Sequence, residues 1–208
     1  GLSNTASSSG SSAIGQGNIA SATNASAFGQ GNTANVIGAS AFGTGNNASE
    51  ISSTALGSNN TASGAYSAAI GYVNIATGTA AVAVGKENTA NSDEAQAFGS
   101  RNLSSSNKSM AYGIYNTVLS QYSLAVGYNN SILAGNNESA VYGIYNTVAG
   151  SNSSVLGYLS TSTANNSITL GNNLNNGIND SVMIGTSDAT KLFIGSDGFV
   201  SIGDGTVV

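Results

Sequence analysis

Short apolar residues alternate with small polar ones along the chain, as in Ser12-Ala13-Ile14-Gly15 and Ala81-Val82-Ala83-Val84-Gly85. Aligned on the glycine that follows each bulky residue, the chain gives Gly1, Gly15, Gly29, Gly43, Gly57, Gly71, Gly85, Gly99, Gly113 and Gly127, with every interval 14. Two extra residues fall within Asn129–Ser139, after which Gly143, Gly157, Gly171 and Gly185 resume the period. Fixed self-similarity of this kind is the signature of a repeat architecture.

The columns of the alignment carry separate physical content. Two residues before the glycine stands Ala, from Ala13 to Ala125, then Val141 and Val155. Four before it the residue is Ser or Ala, from Ser11 to Ser181. Three after it stands Asn, at Asn4, Asn18, Asn32, Asn46, Asn60, Asn74, Asn88, Asn102, Asn116, Asn130 and Asn146. Directly before it lies a large apolar residue: Ile14, Phe28, Phe42, Leu56, Ile70, Val84, Phe98, Tyr112, Val126, Tyr142, Leu156, Leu170 and Ile184.

A 14-residue period makes apolar columns drift round a helix, whereas runs such as Ser-Ala-Phe-Gly alternate as a half-buried strand does. Two strands of about five residues and two tight turns fill one coil, and coils stacked about 4.8 Å apart place each column above its predecessor. The fold class predicted is all-β: a parallel β-roll, or solenoid, of 14-residue coils. The glycine serves a turn with positive φ or a close backbone approach. The asparagine tolerates the left-handed region too, and its amide suits a ladder from coil to coil.

Period-2 alternation puts the Ala and Ser/Ala columns on one strand face and the bulky column on the other. Strictly small residues suit a narrow roll interior, so the bulky column is expected outside, although the reverse assignment is also open. Thirteen large apolar side chains in a row form a stripe that soluble monomers avoid. Self-association is the simplest cover, and a homotrimer brings three stripes to one axis. The bulky column is therefore read as trimer interface or core.

Composition narrows the function. Charged residues make up 6% of the 208, and His, Cys, Trp and Pro are absent. That removes His- and Cys-based triads and zinc sites, and all disulfides. A net charge of −5 opposes a nucleic-acid surface, and no apolar run approaches the length of a membrane-spanning helix. The acids Glu50, Glu87, Asp93, Glu94 and Glu138 scatter over different coils, so an enzyme is the poorest reading. No catalytic, metal or cofactor site is expected.

The unit at 67–76, Ser-Ala-Ala-Ile-Gly-Tyr-Val-Asn-Ile-Ala, resembles the head repeat of YadA-like trimeric autotransporter adhesins, over about residues 1–188. The resemblance implies a homotrimer of left-handed parallel β-rolls on a bacterial cell surface. It implies attachment to a host surface protein, extracellular matrix or glycan, with no nucleic acid and no membrane insertion by this segment. Gly1, Asn4 and Ala6 already stand in register, so a portion of a longer protein is expected. Residues 189–208 read as an irregular connector. Within it a hairpin turns at Ser196, Asp197 and Gly198, between Leu192–Ile194 and Phe199–Ile202. This stretch is similar to bacteriophage tail-fibre segments that precede a chaperone domain, so a virion fibre is the alternative. Asp180, Asp188, Asp197 and Asp204 in the end region fit turn chemistry first.

Candidate ligand-binding residues come from two features. Tyr72, Tyr128 and Tyr158 directly follow the anchor glycine and Tyr115 and Tyr145 come two after it, all at turns. There they either meet sugar rings and protein hot spots or cover the roll and stack on one another. Segments 111–118 and 141–148 are near duplicates, sharing Tyr-Gly-Ile-Tyr-Asn-Thr-Val. The two-residue slip is expected to bulge, and its Asn136, Asn137 and Glu138 are either a recognition loop or a tolerated insertion.

Overall fold

A computed structural model describes residues 1–187, 191–198 and 200–203. They form two compact units, Gly1–Lys108 and Ser109–Val208. The first holds two parallel sheets. One has seven five-residue strands, from Ser12–Gln16 to Gln96–Ser100, and the other eight two-residue strands, from Thr5–Ala6 to Leu103–Ser104. Register advances by one period per strand: Ala27 pairs with Ala41, Phe28 with Phe42 and Gly29 with Gly43. A coil is therefore one long strand and one short one, where the sequence suggested two of about equal length.

Turn geometry explains the difference. Besides the anchor glycine, each coil places two residues at positive φ, two and nine positions after it, and each reverses the chain. The first column runs Gly17, Gly31, Gly45, Asn59, Val73, Glu87 and Arg101, and the second includes Gly10, Asn24, Gly38, Ser52, Tyr66, Ala80 and Glu94. The conserved-period asparagine is not the left-handed residue; the residue before it is. The anchor glycine has two constraints. Gly29 sits at φ 119°, and a Cβ there would overlap the carbonyl oxygen of Gly43 in the next coil.

The asparagine column is the polar spine. Asn32 Nδ2 donates to Asn18 Oδ1 at 3.0 Å, to Phe28 O at 2.9 Å and to Gly43 O at 2.7 Å. Its own Oδ1 accepts both the backbone N–H and the side-chain amide of Asn46. A fully buried amide is thereby satisfied at both ends, as burial demands. Around this spine the interior of the first unit is almost pure alanine: Ala27, Ala41, Ala55 and Ala69 face Ala34, Ala48, Ala62 and Ala76, all fully buried.

In the second unit the long strands run from Met110–Ile114 to Val182–Thr186 and the short ones from Thr117–Val118 to Asn175–Asn176. Here the expectation of a strictly small interior is corrected. Val118, Ile132, Val141, Val148 and Val155 are fully buried. Beside these larger side chains the column four before the glycine is serine, from Ser109 to Ser181. Those serines form a second ladder that the columns did not announce: Ser153 N donates to Ser139 Oγ at 3.2 Å and Ser167 N to Ser153 Oγ at 3.1 Å. The asparagine spine is replaced at Ser160, whose N–H donates to Asn146 Oδ1 and whose Oγ donates to Gly171 O.

The long-strand sheet of this unit ends in antiparallel pairing. Met183 pairs with Phe193, and Lys191–Ile194 pairs in turn with Val200–Gly203. Gly198 N donates to Gly195 O at 3.0 Å across the expected turn. Asp180 occupies a left-handed turn position. Phe199, Gly205, Asp188 and Asp204 lie outside the described residues.

Candidate functional site

The bulky column lies on the outer face of the long strands, opposite the alanines. Ile14 is 60% exposed, Leu56 44% and Leu156 52%, and Tyr142 and Leu170 are exposed as well. Phe28, Phe42, Ile70, Val84, Phe98, Tyr112, Val126 and Ile184 are half-buried against their neighbours in the stack. Phe28 and Phe42 stack with ring centroids 5.1 Å apart. Burial lifts the Tyr112 phenol above its ordinary pKa.

The stripe differs between the units. In the first its early coils are one residue wide, flanked by Ser26, Ser40 and Thr54 on one side and Gln30, Thr44 and Ser58 on the other, before Ala68, Val82 and Tyr72 enter the flanks. In the second the flanks also turn apolar, with Met110 and Leu124 on one side and Ile114, Tyr128, Ile144 and Tyr158 on the other. Strand alternation puts all of these on the same outer face.

Four of the five singled-out tyrosines meet at one turn edge of the second unit. Tyr115 and Tyr128 lie 6.1 Å apart, Tyr128 and Tyr145 5.3 Å, and Tyr145 and Tyr158 6.3 Å, each pair edge to face at 82–83°. Consecutive coils supply them alternately from the positions two and one after the glycine, so the rings zigzag up the edge. They remain 36–44% exposed. A hydrogen bond with the Tyr128 phenol raises the Tyr145 pKa above its ordinary value. Tyr115 and Tyr145 have φ of 59° and 58°, in the left-handed positions that Gly17, Gly31 and Gly45 fill in the first unit. The exposed Ile114, Ile144 and Leu159 complete a checkerboard with the rings. Sequence reasoning missed these three, although for Ile114 and Ile144 the duplicated Gly-Ile-Tyr-Asn at 113–116 and 143–146 carried the signal.

Tyr72 stands apart from that group, in the first unit. The Lys86 ammonium lies 6.0 Å from its ring centroid. Lys86 also approaches Glu87 at 3.6 Å, and Arg101 Nε donates to Glu87 at 2.5 Å. The Arg101 hydrogen bond holds the Glu87 carboxyl below its ordinary pKa.

Asn136, Asn137 and Glu138 occupy the opposite turn edge of the second unit, following the short strand Ser131–Ile132 where the tyrosines precede it. The loop is exposed at Gly135, where an added Cβ meets open space. It is also tied down. Asn136 N donates to Ser120 Oγ at 3.0 Å, Glu138 N to Gln121 O at 3.1 Å and Asn152 N to Asn137 O at 3.0 Å. The two groups of candidate residues therefore form separate surfaces.

Comparison with known families adds to this geometry. The family model described as YadA head domain repeat (2 copies) matches residues 6–32, 20–46, 34–59, 48–73, 76–102 and 149–173, together more than half of the chain. No curated protein matches the sequence.

Proposed function

Because the chain belongs to the family of the YadA head domain repeat, we propose that it is the head of a trimeric, surface-displayed adhesin that attaches a bacterium to a host cell or matrix. The observation that carries this reading is the outward-facing apolar column, in which Ile14, Leu56, Tyr142, Leu156 and Leu170 are exposed and the other members half-buried. Burying each side chain is worth about 1.5–3 kcal/mol, and three copies around an axis bury all of them at once. Residues 1–188 serve as the head and 189–208 as its connector, in an extracellular setting. Host surface protein, matrix and glycan are the partner classes, and three identical chains offer every weak site three times.

The test is adhesion of the purified soluble chain to immobilised host cells and matrix proteins. Wild type is expected to bind saturably and release slowly. A variant carrying Phe28→Gln, Phe42→Gln and Leu56→Gln should release fast, as single-valent contacts do. Equal release by the two, or no binding to any surface, contradicts the proposal.

A second reading, a shaft segment of a bacteriophage tail fibre, draws on the antiparallel hairpin of Lys191–Ile194 and Val200–Gly203. It expects the same trimer with no affinity for host matrix.

A further inference from the structure

The geometry points to the tyrosine zigzag of the second unit as a binding ridge for a neutral, extended glycan chain. This inference rests on the adhesive reading and names the ligand class for one of its surfaces.

The ridge has a repeat of its own. Tyr115 and Tyr145 occupy equivalent positions two coils apart, as do Tyr128 and Tyr158. Two coils rise about 9.6 Å at the usual strand spacing, so equivalent rings recur at roughly the length of a disaccharide. A linear polymer of sugar rings is the kind of ligand that meets such an array in successive identical contacts. Phenols suit it chemically: a ring face takes the C–H side of a pyranose, and the hydroxyl exchanges hydrogen bonds with the sugar's own.

Charge selects among glycans. No Asp, Glu, Lys or Arg occurs between Ser109 and Asn137, or between Ser139 and Asn179. Glu138, which separates those stretches, lies on the opposite turn edge. A sulfated or uronic-acid polymer, or a charged peptide, therefore finds no counter-ion along the ridge. Ile114 and Ile144 alternate with Tyr128 and Tyr158 at one strand position and add exposed apolar surface to the ridge, while Asn129 adds an amide between the two phenols of its column.

The experiment uses the full chain with cellohexaose and chitohexaose as neutral probes, a heparin hexasaccharide as the charged one, and gelatin as a protein surface. Calorimetry reads affinity, and tyrosine emission reads the ridge, since the chain has no Trp. Expected is saturable binding of at least one neutral hexasaccharide, with a change in emission, and none of the heparin fragment. The double variant Tyr115→Gly, Tyr145→Gly relieves strain, so it should keep or raise the melting temperature while weakening sugar binding about tenfold or more. Tyr66→Gly, at a left-handed position of the first unit, should leave binding unchanged. The inference is overturned by no neutral-sugar binding, by equal affinity in the double variant, or by preference for heparin. Gelatin binding that alone disappears in the double variant assigns the ridge to a protein and also overturns it. A chain that adheres to host surfaces but ignores both neutral sugars sinks this inference only. A chain that adheres to nothing sinks the adhesive reading itself.

Discussion

Asn46 gives both its backbone N–H and its side-chain amide to one atom, Asn32 Oδ1, each at 3.0 Å. The same two bonds link Asn60 to Asn46 and Asn74 to Asn60. One side chain therefore sets the spacing of adjacent coils and closes the turn it stands in, through its bonds to the carbonyls four residues before and eleven after.

Removing a middle rung is predicted to cost several times an ordinary hydrogen bond. Asn74→Ala deletes donors to Asn60 Oδ1, Ile70 O and Gly85 O and strands the backbone N–H of Asn88, whose Nδ2 keeps Val84 O and Gly99 O. Each buried orphan costs about 1–3 kcal/mol, so a loss on the order of 3–5 kcal/mol is expected in urea unfolding. Asn74→Ser should cost less, because Ser160 already serves as such a rung. Equal cost for the two would contradict the ladder's role.

Two nearby positions in one coil, Gly71 in the long strand and Val73 in the turn after it, should respond with opposite sign. Val73 is β-branched at φ 54°, and Val73→Gly should raise stability by about 1 kcal/mol. Gly71→Ala should lower it by more than that, because the new methyl meets the Gly85 carbonyl oxygen. Paired thermal melts check both, and a loss of stability in Val73→Gly rejects the strain argument.

Thr169 occupies the interior column, fully buried, and its Oγ1 has no hydrogen-bond partner. Val155 fills the same column one coil earlier. Thr169→Val exchanges an unsatisfied hydroxyl for a methyl and should stabilise by about 1 kcal/mol. A destabilised variant in chemical denaturation would show that the hydroxyl is satisfied in solution.

The tyrosine pair has a signature at alkaline pH. A folded-state pKa raised above the ordinary 10.0 means that Tyr145 favours the fold fully below that value. This contribution fades as pH rises through the elevated pKa. Tyr128→Phe removes the partner hydroxyl, so Tyr145 should ionise at lower pH, closer to its ordinary value. Phenolate absorbance titration of the two proteins checks it, and superimposable curves would reject the Tyr128–Tyr145 bond.

Much of this fold was written in columns. The period, the inward alanines and the asparagine ladder each follow from one residue type recurring at one position, because stacking forces the same environment on every coil. The left-handed column was not legible, since Gly17, Asn59, Val73, Glu87 and Tyr115 share only a backbone angle. The tyrosine zigzag alternates between two columns, so neither column alone displays it; only the stacked coils bring Tyr115, Tyr128, Tyr145 and Tyr158 into contact. The serine ladder hid for another reason: Ser and Ala fill that column interchangeably in the first unit, and size alone explained it there.

Sedimentation equilibrium on the soluble chain, with circular dichroism on the same sample, tests the central claim that sister copies cover the outer apolar column. The account predicts a β-sheet spectrum from a species of three chain masses, and a shift toward single chains when Phe28, Phe42 and Leu56 become glutamine. A folded single chain, stable across the concentration range with Ile14 and Leu56 in water, would contradict it.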